Sequence, residues 1–100
     1  MVGEITRVEL EGTSFLDAYS AVAQLRPAWV HPRPALSIVG SDPFPVVYVD
    51  GLARGSVDEL RRLATSEIER LSYLSPSDAT TRFGTGHTSG AILVTTVSGR

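Results

Sequence analysis

The stretch Val46-Val47-Tyr48-Val49-Asp50-Gly51 decides the fold. Three valines and a tyrosine in a row are strand formers, and Asp-Gly is turn chemistry that ends the strand. The run is continuously apolar rather than alternating, the mark of a strand covered on both faces. A sheet with material on either side is therefore expected, and the rest of the chain is read for what supplies it.

Downstream, Ser56-Val57-Asp58-Glu59 has the form of a capping box, and Val57, Leu60 and Leu63 share a helical face. A helix of about two turns is expected over 57–64. From Ile68 to Leu74 the chain alternates, with Glu69, Leu71 and Tyr73 on one side and Arg70, Ser72 and Leu74 on the other, which predicts a strand. Ser75-Pro76-Ser77-Asp78 opens a further helix, with Ser75 as N-cap and Pro76 at the first helical position. Ala79 and Phe83, four apart, face inward, and Gly84 stops the helix. A glycine-rich turn from Gly84 to Gly90 leads into a last strand, Ala91 to Val97.

Upstream, Ile5, Val8 and Leu10 suggest a first strand over about Glu4 to Leu10, broken by Gly12-Thr13. Ser14-Phe15-Leu16-Asp17 reads as another capping box, and a helix is expected from Phe15 to Leu25, stopped by Pro27. Five of the six prolines fall between Pro27 and Pro45, which bars a long helix or a central strand there. A short strand is expected at Ala35 to Val39. The stretch is too apolar for a free linker, since Trp29, Val30, Leu36, Ile38, Val39 and Phe44 need burial, so it reads as a loop packed on the same core. The expected class is α+β: one domain over residues 1–100, a small mixed β-sheet with two or three short helices.

Composition narrows the chemistry. One hundred residues suit one domain, and 42% hydrophobic with 20% charged residues is ordinary for a globular chain. A net charge of −2 gives no field that favours nucleic acid or an anionic membrane. All nine basic residues are Arg, so a P-loop and a Schiff-base mechanism, which both need Lys, are excluded. There is no Cys, which excludes disulfides, thiolate nucleophiles and Cys-type metal sites and leaves the fold to rest on its core. No apolar run approaches the roughly 20 residues that span a bilayer. Met1 to Glu11 carries Glu4, Arg7, Glu9 and Glu11 and does not read as a signal peptide. A cytoplasmic chain and a mature form with an added start Met both remain open.

The candidate sites are few. Gly84-Thr85-Gly86-His87-Thr88-Ser89-Gly90 is one residue longer than the dinucleotide fingerprint and leads into a strand, so it reads as a structural turn. His87 and Ser89 with an Asp would make a hydrolase triad only by converging from one loop without a nucleophile elbow; the reading preferred is a polar, exposed loop. His31 and His87 are the only imidazoles, and their spacing fits no metal site, so no metal or cofactor is expected. Asp50-Gly51 reads as a turn, Asp58 with Glu59 and Glu67 with Glu69 as helix-start and solvated charges, and Tyr48 and Tyr73 as sheet-face aromatics. Trp29, in the proline-rich stretch, divides between core residue and exposed anchor for a partner.

The order of Val46-Val47-Tyr48-Val49-Asp50-Gly51, Ile68-Glu69-Arg70-Leu71, and Arg82-Phe83-Gly84 through Gly90-Ala91-Ile92-Leu93-Val94-Thr95-Thr96 resembles the plug domain of TonB-dependent outer-membrane receptors. Ile5-Thr6-Arg7 with Glu9 and Leu10 is similar to that family's opening strand, and Asp17-Ala18-Tyr19 to Leu25-Arg26-Pro27 to its first helix. The resemblance covers nearly the whole chain. It departs at Ser75-Pro76-Ser77-Asp78, where the family carries Gly-Pro and small residues, and no clear TonB box precedes Ile5. In the family a membrane β-barrel of several hundred residues follows the plug; here the sequence stops at Arg100, so transport is not carried over. The resemblance implies a non-enzymatic binding or assembly module of the bacterial cell envelope. It would be periplasmic or associated with the outer membrane, and would act on protein partners, with a sheet edge as one means of contact. Its alternatives are a plug fragment of a nutrient or metal-chelate receptor and, third, a small hydrolase using His87 and Ser89.

Overall fold

The computed structural model describes residues 3–30, 44–84, 87 and 89–99. In chain order they form β1 (Gly3–Thr6), α1 (Arg7–Glu11), α2 (Ala18–Leu25), β2 (Val46–Val49), β3 (Leu52–Gly55), β4 (Ile68–Leu74), α3 (Pro76–Phe83) and β5 (Ala91–Thr96). Short 3₁₀ segments lie at Pro27–Trp29, Val57–Arg62, Thr65–Glu67 and Val97–Gly99. The strands make one mixed sheet in the order β1-β4-β5-β2-β3. Strands β2 and β5 run parallel, with Val46 opposite Ala91 and Val49 opposite Val94, and the other neighbours are antiparallel. The class is α+β, as expected.

Both faces of β2 are covered, and its apolar run follows from that. On one face Val47, Val49, Leu71, Ile92 and Val94 pack with Ile5, with Ala18, Ala21 and Val22 of α2, and with Val57 and Leu60 of the 3₁₀ segment. On the other, Tyr48, Leu74, Ala91 and Leu93 meet Ala79 and Phe83 of α3. Removing each such aliphatic side chain from water contributes about 1.5–3 kcal/mol, so the first face carries most of the stability.

The elements from β4 onward lie where the alternation and the caps put them. β4 spans the expected residues, and Ser75 caps α3 by accepting the Asp78 amide at 3.2 Å. Four local readings are corrected. The first strand ends at Thr6, whose hydroxyl accepts the Glu9 amide, and the chain turns helical there with Thr6 as the N-cap. α2 begins at Ala18 with Asp17 as its cap, not at Phe15. The preceding residues instead run beside 63–65, where Thr65 N donates to the Leu16 carbonyl and Ala18 N to the Leu63 carbonyl, both at 2.8 Å. The helix expected over 57–64 is a 3₁₀ segment ending at Arg62. β3 was not foreseen at all. Asp50 and Gly51 take φ of 51° and 88° and join Val49 directly to Leu52, the two-residue hairpin for which Asp-Gly is a strong signal. The strand expected at Ala35 to Val39 lies outside the described residues.

Candidate functional site

Asp50 fastens the hairpin to the end of β5. Its Oδ2 accepts the Thr96 hydroxyl at 2.6 Å, and its Oδ1 accepts the Thr96 amide at 2.9 Å. Its own amide donates to the Val94 carbonyl at 2.8 Å. The Thr96 hydroxyl first, and the amide second, hold the Asp50 carboxyl below the ordinary carboxylate range. Asp17 is held low in the same sense by the Ser20 amide and then the Ser20 hydroxyl. Both carboxylates thus serve architecture. Gly51 has open space around its Cα and is required by its positive φ alone.

His87 and Ser89 are not the exposed polar residues that their setting suggested. His87 is 6% exposed and Ser89 2%. The His87 ring lies 5.8 Å from Tyr48 and 5.7 Å from Phe83, and those two rings stack at 4.0 Å. His87 Nδ1 is 2.9 Å from the Gly84 carbonyl, which can only accept, so Nδ1 carries the proton. In the neutral ring Nε2 then accepts from the Tyr48 hydroxyl, 2.8 Å away. With both nitrogens engaged, the imidazole has none left to activate Ser89. The Ser89 carbonyl accepts the Tyr73 hydroxyl at 3.0 Å. Gly90, buried with φ 87°, is closed in so tightly that a Cβ would run into the Leu74 carbonyl and the Tyr73 hydroxyl. Gly84 ends α3 at φ 96°. Gly86 and His31 lie outside the described residues.

Trp29 is 6% exposed and stacks on Tyr73 at 5.8 Å. The reading of it as an exposed anchor is corrected: the indole belongs to this chain's own core, against Gly3 of β1. Asp58 opens the 3₁₀ segment and pairs with Arg61 at 3.3 Å. Among the described residues no group of three or more His, Cys, Asp or Glu gathers as a metal site, and no helix is long and apolar enough to cross a membrane.

What remains open to a partner is a sheet edge. β1 and β3 are the outer strands. β1 is engaged: Arg26 donates to its Glu4 carbonyl at 2.9 Å and pairs with Glu9 at 3.1 Å. All four residues of β3 are exposed, Leu52 by 65%, and among the described residues nothing pairs with its outer side. Composition hides this strand because Leu52-Ala53-Arg54-Gly55 lacks β-branched residues. The Asp-Gly turn before it was the available signal.

No family model matches the chain, and no curated protein matches it. Among solved structures it is similar to a chain in the structure of the RagAB peptide importer in the "open-open" state, with a TM-score of 0.70 and 18% identity. The match covers 96% of this chain and 12% of the importer chain, so this chain spans a small part of that chain's length. At such identity the likeness is one of fold.

Proposed function

We propose that this chain is a non-enzymatic, plug-like domain of an outer-membrane nutrient import system, acting through contacts with protein. One observation carries the reading: nearly the whole chain superimposes on a segment of a peptide importer, in which that segment is 12% of a much longer chain. The family resemblance of Val46 to Gly51, Ile68 to Leu71 and Gly90 to Thr96 supports the same reading, and these are the segments that form β2, β4 and β5. The small share favours a domain that works inside a longer receptor, as its plug. The second reading, an envelope assembly module standing alone, is favoured by the unpaired edge of β3.

Fractionation of the source cells with an antibody against residues 3–30 separates the two. The receptor reading predicts an outer-membrane band many times larger than a 100-residue chain. The stand-alone reading predicts a periplasmic band of that size. Recovery solely in the cytoplasm would overturn both.

A further inference from the structure

We propose that the outer edge of β3 receives an extended acidic segment of a partner protein as an added strand, with Arg54 and Arg62 taking its carboxylate. This rests on the reading of the domain as a protein-contact module. The edge is the physical starting point. A strand exposed along its length offers backbone donors and acceptors to another strand, and such addition takes its specificity from alternate side chains.

Charge says which segment fits. Among the described residues Arg7, Arg26, Arg61 and Arg70 are ion-paired, and Arg82 lies 5.3 Å over the Phe83 ring. Among the described residues Arg54 and Arg62 have neither kind of partner, and they line the same cleft of about 190 Å³ with Val49 and Leu63. Glu59 shares the cleft without pairing to either, which leaves it net positive. Two guanidinium forks beside apolar side chains match a carboxylate better than any neutral group.

The ladder to β2 shifts register at Arg54, between Ala53 and Gly55, and Arg54 borders the cleft beside Val49, whose partner across the ladder is Leu52, so Leu52 and Arg54 serve the same face. A partner strand is therefore matched by an apolar residue and an acidic one at alternate positions. The same arginine works against a second copy of this chain in the antiparallel register centred on it, which would set two Arg54 side chains opposite each other.

The test is a ¹⁵N NMR titration of the full chain with the peptide Ac-Val-Thr-Glu-Thr-Val-NH₂. Its sequence is palindromic and presents the same face in either strand direction. Shifts are expected at the Leu52 to Gly55 amides and the Arg54 and Arg62 Nε groups, with binding at least about tenfold tighter than for the same peptide with Lys in place of Glu. R54E/R62E should reverse that preference, and the milder R54Q/R62Q should erase it if the reversal variant fails to fold. Equal affinity for the two peptides, shifts away from β3, or an unchanged preference in R54Q/R62Q would overturn the proposal. The fractionation result stands apart from this one, so a failure here leaves the importer reading to its own test.

Discussion

The two faces of the sheet are held by different means. The α2 face is a bulk, mainly aliphatic interior fed from four strands and two helices, whereas the α3 face is a small cluster completed by single contacts. There Gly90 lies close under the Leu74 carbonyl, and the His87 imidazole is gripped at both nitrogens. A face built from burial loses stability in proportion to the area removed, and accepts swaps that keep the volume. A face built from a few polar contacts loses it at single atoms, since each contact left unmade in a buried place costs more than it contributed.

Substitutions should separate the two. Leu71→Ala, in the aliphatic interior, is expected to cost about 2–5 kcal/mol in urea unfolding, with the folded spectrum otherwise kept. Gly90→Ala is expected to cost about 2–4 kcal/mol from strained φ and from clashes with the Leu74 carbonyl and the Tyr73 hydroxyl. A Gly90→Ala protein as stable as the parent would remove the distinction. Tyr48→Phe strips the His87 Nε2 of its partner and should cost about 1–2 kcal/mol. His87→Gln restores little of that loss, if the grip on the ring is the cause.

The smallest effect is the pH response. The folded Asp50 and Asp17 carboxyls titrate below the ordinary carboxylate range. Their hydrogen bonds therefore stabilise the fold at pH above that range, and the contribution disappears as pH falls through the lowered folded values. The acid limb that these two carboxylates contribute to the thermal midpoint should appear below about pH 4. Asp50→Asn should flatten part of the acid limb and cost about 1 kcal/mol at neutral pH.

The difference between the faces also explains what the sequence made legible. Val46 to Val49, Ile68 to Leu74 and Ala91 to Thr96 announce themselves by strand chemistry, and Ser75-Pro76 by its cap, because those signals are local. The burial of His87 and Ser89 is a consequence of where α3 places Phe83 and where β2 places Tyr48, which no spacing within the loop records. Trp29 was ambiguous for a similar reason: its partner Tyr73 lies more than forty residues away. Of the candidate surface, the general notion of a sheet edge was readable, but the strand that forms it was hidden by its plain composition. The Thr6 cap and the hairpin sense of Asp50-Gly51, beyond its turn, are equally local signals.

Everything functional here depends on β2 lying parallel beside β5 in the centre of the sheet. Proton NOEs on the chain by itself test that arrangement most directly. Cross-strand contacts linking Val47 with Ile92 and Tyr48 with Leu93, in parallel register, are the predicted result. Contacts in antiparallel register, or none between these segments in a well-dispersed spectrum, would contradict it and dissolve the likeness to the importer segment.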